Sequence, residues 1–290
     1  HVNIAIALAW LPVALLGAHQ AVEPQHIRGP VLIGVAWAAA LLNHAQTALF
    51  VAMLTVVWTG WAAVRRGAPR SWLKPGSRVL LAAVLALLLS AALLLPLAEA
   101  LPYLNRGGLT LEEAGIFSVP WAHLVATAIP TYAGEPELNI YLGIPLAMLA
   151  AVALIIARGQ GTWFLATIAA VAGLFALGTH APLFPALFRL VPGLQWLRVP
   201  ARAWMLVSFA VAMLAGQGLD ALAKPPLSTM ARSRATILGL GGLTIGVVLS
   251  VTLALITSAA LSRSLTAPLR DLAEAAKAVA AGDFRQRVPV

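Results

Sequence analysis

The sequence predicts an all-α fold, a polytopic bundle of transmembrane helices followed by a juxtamembrane helix of the coiled-coil type. Hydrophobic residues make up 61% of the 290 residues and charged residues only 10%, against about 25% charged residues in an ordinary globular domain. Apolar stretches near the roughly 20 residues that a helix needs to cross a bilayer recur along the chain. Basic residues cluster between these stretches, which is the pattern of a membrane protein.

The apolar stretches predict seven or eight membrane crossings. The pair on either side of residues 43–46 is the least regular, because each half is short for a crossing. It is either a tight helical hairpin or a re-entrant pair, and either arrangement puts these polar residues at a turn. The stretches cover residues 2–18, 31–42 with 47–64, 79–97, 138–157, 162–178, 203–223 and 236–261.

The charge pattern predicts which segments face the cytoplasm. The connector 65–78 has five basic residues and no acid, so it belongs inside, whereas segment 98–137 has five glutamates against Arg106 and belongs outside. The same logic places segment 179–202 outside and segment 224–235 inside. We therefore expect a multi-pass protein of a bacterial inner (plasma) membrane, with membrane lipids as partners. The net charge of +9 is explained by these clusters, and nucleic acid is not expected as a partner.

The absence of cysteine excludes disulfides, thiolate catalysis and cysteine-ligated metal. The chain begins at His1 without Met and enters apolar sequence at once, so we expect it to be a fragment.

The segment after residue 261 has the pattern of a coiled coil. Leucine, alanine and valine recur at spacings of 4, 3, 4 and 3 from Leu265 to Val279, with charged residues on the other faces. Pro268 lies in the first turn, where proline is tolerated, and Gly282 is placed to end the helix. The residues expected to matter most for a signalling linker are Pro268, Leu269, Leu272, Val279 and Gly282.

These features resemble the HAMP linker of sensor histidine kinases and chemoreceptors. The resemblance covers the incoming span 236–261, Pro268-Leu269, the first helix, the Gly-Asp-Phe that begins at Gly282, and Val288-Pro-Val. It implies signal transduction across the membrane by a homodimer joined through this helix. The match corresponds to a partial HAMP module that holds no catalytic domain.

A second set of motifs lies in order along the membrane bundle. The motifs are Asn43-His-Ala-Gln-Thr-Ala-Leu-Phe50, Leu95-Pro-Leu-Ala-Glu99, Leu109 to Ile116, Pro120-Trp-Ala-His-Leu124, Pro130, Tyr141-Leu-Gly143, Leu177 to Leu183, Pro192 to Arg202 and Leu214 to Leu219. Over about residues 4–222 the chain resembles the YfhO-like bacterial membrane proteins of the GT-C glycosyltransferase superfamily. The resemblance implies sugar transfer from a polyprenyl-phosphate donor at the outer face of the membrane.

Such a transfer needs a carboxylate base and cationic or metal help for the phosphate leaving group. The superfold usually supplies an aspartate in its first outer loop, but the three aspartates here are Asp220, Asp271 and Asp283, none of them in an outer loop of the bundle. The expected catalytic aspartate is therefore missing, and enzymatic activity is left open. No cofactor is evident, and a divalent metal follows from the resemblance alone.

Five residues remain as candidates for a site. Arg198 and Arg202 flank Pro200 at the outer mouth of a span, where they would hold a carrier phosphate or snorkel to the interface. His44 and Gln46 are intramembrane polar residues, either functional or part of a hydrogen-bonded turn, and Gln46 is a further candidate for binding the phosphate of the lipid carrier. Glu99 ends a span and is, with His44, a weak candidate for catalysis. The acids expected to be solvated are Glu112, Glu113, Glu135 and Glu137, and the histidines too scattered for a metal site are His123 and His180.

The two resemblances conflict in topology. If the basic linker 224–235 is cytoplasmic, the next span, 236–261, carries segment 262–290 outside, whereas a HAMP module works in the cytoplasm. We therefore divide the chain into a bundle (1–223), a basic linker that is a candidate junction of two polypeptides, a transmembrane helix and a HAMP-like segment. Three functions stay open: a glycosyltransferase fragment, a sensor kinase, and a non-catalytic membrane subunit.

Overall fold

The computed structural model describes residues 2–23, 27–66, 73–100, 103, 108–129 and 135–223, with residues 241–242, 244, 246–248, 251–252, 255–256 and 258. Every regular element among these residues is helical, so the predicted all-α fold is confirmed. The chain divides into two compact units. The first is His1–Ile116 with Ala181–Leu206, and the second is Phe117–His180 with Val207–Val290.

The first unit is a bundle in which α3 (Arg28–Asn43) packs against α2 (Leu11–Ala21), α4 (Ala45–Arg65) and α5 (Leu73–Leu89). Most of its helices form because their segments are largely apolar, with prolines in first turns except for Pro96 inside Ala91–Ala100. Short 3₁₀ helices follow at Leu194–Trp196 and Pro200–Ala203. The α-helices are α1 (Val2–Ala9), α2 (Leu11–Ala21), α3 (Arg28–Asn43), α4 (Ala45–Arg65), α5 (Leu73–Leu89), α6 (Ala91–Ala100), α7 (Leu111–Ala114) and α10 (Leu183–Leu190).

Glycines let the backbones of α2, α3 and α5 approach closely. A Cβ at Gly29 would lie 2.7 Å from the backbone nitrogen of Ala21, and a Cβ at Gly17 would lie 2.9 Å from the carbonyl oxygen of Gly29. On the other side of α3, a Cβ at Gly34 would lie 3.0 Å from the carbonyl oxygen of Ala82. Small residues at helix contacts are typical of membrane bundles, where association depends on van der Waals packing.

The two ends of this bundle differ in chemistry. At the end that we call the basic end, defined by His19, Glu23, Arg65, Arg66 and Arg78, α2 and α4 finish and α5 begins. The Arg78 guanidinium donates to the carbonyl oxygens of Ala21, at 2.8 Å, and of Glu23. It therefore satisfies carbonyls that the end of α2 leaves without a helical partner. The charge pattern predicts that this end faces the cytoplasm.

The other end contains the junction of α3 and α4. Only His44 separates the two helices, which pack against each other, so the polar residues 43–46 lie at a turn as predicted. Because α4 has 21 residues and rises about 1.5 Å per residue, the turn lies about 30 Å from the basic end.

Helices α5 and α6 form a pair that bends by 72° at Ser90. Pro96 lies inside α6, where its ring removes one backbone hydrogen bond. The pair begins at the basic end, yet Leu109 beyond it donates its N–H to the carbonyl oxygen of Gln195 at 3.1 Å. Gln195 is three residues from Arg198, whose carbonyl accepts from Gln46 beside the turn. By length and composition the pair is a broken crossing or a re-entrant loop, and the contact of Leu109 with Gln195 favours the broken crossing.

The second unit is built around α8 (Ile144–Val152), α9 (Gln160–Ala176) and the larger part of α11 (Trp204–Ala223). A Cβ at Gly218 of α11 would collide with the carbonyl oxygen of Leu149, and Thr162 donates its hydroxyl to Gln217 Oε1 at 2.8 Å. The elements are 3₁₀ helices Trp121–Thr127, Pro136–Leu138 and Gly178–His180, α8 (Ile144–Val152), the π-turn Ala153–Ala157, α9 (Gln160–Ala176) and α11 (Trp204–Ala223).

The described residues contain fewer candidate crossings than the seven or eight predicted. Three helices, Val2–Ala21, Ala45–Arg65 and Pro200–Ala223, are long and apolar enough, and the bent pair makes a fourth if it is one crossing. The apolar helices Arg28–Asn43, Ile144–Ala157 and Gln160–Ala176 have 17 residues or fewer. Such helices span about 21–26 Å, less than the roughly 30 Å hydrocarbon layer.

The sequence predicted too many membrane crossings for a local reason. A hydropathy window counts apolar residues whether or not the helix continues through them. Stretch 138–157 becomes a helix only at Ile144, after Gly143 with φ +88°, and it ends at Arg158 in the left-handed region. Of stretch 236–261, the structure describes eleven helical residues between 241 and 258.

Candidate functional site

The first unit brings four of the five candidate residues together at the junction of α3 and α4. The centre of the site is His44, which has an extended backbone and caps α4. Its Nδ1 accepts from the backbone N–H of Thr47 at 3.2 Å and lies 2.9 Å from the Thr47 hydroxyl. A histidine in this role replaces the usual Ser, Thr, Asp or Asn cap.

The other ring nitrogen of His44 faces Arg202. The Nη1 atom of Arg202 lies 3.5 Å from His44 Nε2, and the tautomer of the ring decides whether Nε2 accepts from it. In the tautomer with the proton on Nε2, both groups are donors, and an anionic oxygen is the partner that would suit both of them.

Gln46 bonds both the backbone of Arg198 and the side chain of Arg202. Its Oε1 accepts from Arg202 Nη1 at 2.9 Å, and its Nε2 donates to the carbonyl oxygen of Arg198 at 2.5 Å. Arg202 and Gln46 are half-buried, whereas the Arg198 side chain is exposed. The Gln46 amide thus connects residues that are more than 150 positions apart in the sequence. We call the four residues His44, Gln46, Arg198 and Arg202 the His44 cluster.

An acidic loop lies next to the His44 cluster. Thr110 and Glu113 form a capping box at α7, in which the Thr110 N–H and hydroxyl each donate to Glu113 Oε2 at 2.8 Å. These two bonds, the backbone one first, lower the pKa of Glu113, and the nearby charge of Arg198 adds a smaller effect in the same direction. Glu113 was expected to be a solvated loop acid, and it is exposed but has this defined capping role.

The remaining predicted residues are not part of the His44 cluster. Glu99 is exposed on α6, and Glu112 is exposed on α7. His123 and His180 belong to the second unit, where the Trp121 indole donates to the His180 carbonyl oxygen at 3.0 Å. Among the residues that the structure describes, no group of three or more His, Asp or Glu residues could hold a metal ion.

Two features escaped the sequence analysis. Thr47 and Gln195 carry contacts of the site, yet neither type of residue is distinctive in sequence. The acidic Glu23 at the basic end pairs with Arg66 at 3.4 Å, and its isolation among basic residues is the signal that could have revealed it. The predicted linker residues Pro268, Leu269, Leu272, Val279 and Gly282 lie outside the described residues.

Comparison with known protein families bears on the C-terminal segment. Residues 260–290 match the HAMP domain family. The match begins two residues after Ser258, the last residue that the structure describes as helical, and agrees with the resemblance seen in the sequence. No curated protein and no solved structure matches the chain, and no family match supports the resemblance to YfhO-like proteins.

Proposed function

We propose that the chain is part of a transmembrane signalling protein, in which the helical segment 236–261 leads into a HAMP module. The HAMP match at residues 260–290 carries this proposal. The described residues between 241 and 258 are helical, and helices that pass from a membrane directly into a HAMP module can transmit displacement or rotation. The division into bundle 1–223, linker 224–235, transmembrane helix and HAMP-like segment 262–290 is part of the proposal.

Disulfide cross-linking tests whether the segment forms a parallel dimer. The chain has no cysteine, so a single introduced cysteine is the only thiol. In membranes of cells that express the chain, Leu272→Cys at a seam position is expected to cross-link under mild oxidation. Glu274→Cys, two residues away on the outer face of the same helix, is the matched control. Equal cross-linking of the two variants would contradict the dimer.

Thiol labelling tests the side of the membrane. A membrane-impermeant maleimide applied to intact cells should leave Ser264→Cys unlabelled if the HAMP segment is cytoplasmic. Labelling from outside would contradict the signalling function and favour the joining of two polypeptides near residues 224–235. Mass spectrometry of the purified chain checks that point, because a continuous peptide from Gly218 to Arg234 excludes the joined origin.

A second candidate function, transfer of sugar from a polyprenyl-phosphate donor, is favoured by the His44 cluster. Arg202 is held by Gln46 at 2.9 Å and faces the His44 Nε2, an arrangement suited to a phosphate group. We expect Arg202→Ala in a full-length protein to lower transfer strongly, whereas Arg189→Ala on exposed α10 should leave it unchanged. Full activity of a variant with both Arg198→Ala and Arg202→Ala would exclude the phosphate role.

A further inference from the structure

We infer that the basic end of the first unit binds an anionic phospholipid in a groove between α2 and α4. The groove has a volume of about 400 Å³ and is lined by His19, Trp58, Trp61, Ala62, Arg65 and Arg66. It combines aromatic and apolar walls with a cationic rim. It is separate from the His44 cluster, since α4 begins at that cluster and ends at this groove.

The wall of the groove rests on the core of the bundle. Trp58 packs against the buried cluster of Ala18, Ala21, Ile33 and Ala82. Trp61 lies 5.5 Å from Trp58 between ring centroids, with the ring planes at 60°. Tryptophans at this level of a membrane helix favour the boundary between acyl chains and headgroups. The two rings therefore offer a fixed apolar surface to the glycerol and upper acyl region of a lipid.

Cations surround the mouth of the groove. The Arg65 guanidinium lies 5.2 Å from the centroid of the Trp61 ring, which holds it at the rim. Arg66 reaches Glu23 at 3.4 Å, and His19 reaches the same carboxylate at 3.7 Å. The Glu23 carboxylate thus faces one arginine and a histidine. Exposed ion pairs of this length contribute little, so Arg66 can turn to a phosphate at small cost.

The position of the groove identifies the ligand as a lipid. Arg65 is the last residue of the 21-residue apolar helix α4, so the cationic rim is placed where a membrane helix meets the headgroup layer. The charge pattern assigns this end to the cytoplasmic side, where anionic lipids attract juxtamembrane basic residues. A soluble anion would use the arginines but not the two tryptophans. A zwitterionic lipid would use the tryptophans but gain little from the arginines.

Native mass spectrometry of the full chain, purified in detergent, tests this site. Phosphatidylglycerol and phosphatidylcholine with identical acyl chains are titrated separately. We expect one tight phosphatidylglycerol adduct and at least about tenfold weaker binding of phosphatidylcholine. The variant with Arg65→Gln and Arg66→Gln should bind phosphatidylglycerol about tenfold more weakly or worse. The control variant carries Arg158→Gln and Arg189→Gln, which remove two exposed arginines elsewhere and give the same net charge as the first double variant.

A second variant tests the groove without changing the charge. Ala62→Trp fills the space between the aromatic wall and the rim, and should abolish the adduct while the chain stays monodisperse in gel filtration. Three results would each overturn the proposal: equal binding of the two lipids, equal losses in the two double-arginine variants, or displacement of the lipid by equimolar inorganic phosphate. An unchanged adduct in Ala62→Trp would place the lipid elsewhere and overturn it too.

Discussion

His44 illustrates at the scale of one residue how a polar side chain is accommodated at the end of two apolar helices. It ends α3, caps α4 through the Thr47 N–H at 3.2 Å, and presents Nε2 to Arg202 at 3.5 Å. Gln46, two residues later, holds Arg202 and the Arg198 carbonyl at once. Each of these groups would otherwise face a partly apolar environment, where a polar group without a partner costs about 1–3 kcal/mol.

Replacement of Gln46 tests the connection within the His44 cluster. Gln46→Leu removes the acceptor of Arg202 and the donor to the Arg198 carbonyl, so we expect the free energy of unfolding to fall by about 1–3 kcal/mol. Thermal unfolding of the purified chain in detergent measures the change. Gln46→Glu keeps an acceptor for Arg202 and should lose less stability. A Gln46→Leu protein as stable as the wild type would show that the cluster does not stabilise the fold.

The capping box at Thr110 predicts a dependence on pH. Thr110 lowers the pKa of Glu113, so the ionised Glu113 carboxylate stabilises the folded protein. This contribution to the free energy of unfolding is complete above the ordinary glutamate pKa of about 4.3. It is lost as the pH falls through the lower pKa of Glu113 in the folded state. Thr110→Val removes the hydroxyl bond and should raise the pKa of Glu113 toward its ordinary value. Carbon-13 NMR of labelled glutamate measures this shift, with Glu112 as the internal control. An unchanged Glu113 titration would contradict the proposed cause.

At the scale of elements, helix contacts in both units depend on glycines whose spacing alone does not reveal their role. Gly216 and Gly218 are two residues apart in α11, yet a Cβ at Gly216 would meet nothing within 4 Å, whereas one at Gly218 would collide with the Leu149 backbone. The difference arises because residues two apart lie on different faces of a helix. Only the face that α8 covers requires glycine.

This contrast gives a matched pair of substitutions. Gly218→Ala must push α8 and α11 apart, so we expect a loss of about 1–3 kcal/mol in the free energy of unfolding. Gly216→Ala should be neutral or stabilising by up to about 1 kcal/mol, since alanine favours the helix. Thermal unfolding of the two purified variants, measured side by side, checks this prediction. Equal stability of the two proteins would argue against the close contact between α8 and α11.

At the scale of the whole molecule, the chemistry of the described residues is arranged along the predicted membrane normal in the first unit. The basic end carries the arginines and the tryptophan-lined groove, and the His44 cluster lies about 30 Å away along α4. The bent pair α5–α6 starts at one end, and the loop that follows it reaches Gln195 near the other. The number of times the chain crosses the membrane sets the side that each end faces, and the function of each end depends on that side.

The bent pair predicts opposite accessibility on its two sides. Single cysteines at Ser77 and Glu112, both exposed, are expected to react with an impermeant maleimide from opposite faces of the membrane. In intact cells we expect Glu112→Cys to be labelled and Ser77→Cys to be protected until the cells are permeabilised. Labelling of both from the same side would mean that α5–α6 is a re-entrant loop and that the later segments have the inverse orientation.

The helical fold and the polar turn at residues 43–46 could be predicted from sequence, because apolar composition and the polar interruption are local properties. The number of crossings could not, since it depends on where helices break. Backbone conformation rather than hydropathy sets these breaks. They are the left-handed backbone at Arg158, the late start of α8 at Ile144 and the bend at Ser90. A window of apolar residues contains no information on such breaks.

The sequence by itself predicted an apolar, helical chain of the membrane-protein type whose C-terminal residues match the HAMP domain family, because composition and the spacing of apolar residues do not depend on contacts between distant residues. Only the tertiary structure decided that Arg202 meets Gln46 and His44, across more than 150 residues. It also decided that Trp58, Trp61 and Arg65 form one groove with His19. Such contacts arise from the packing of separate helices, which no local pattern encodes.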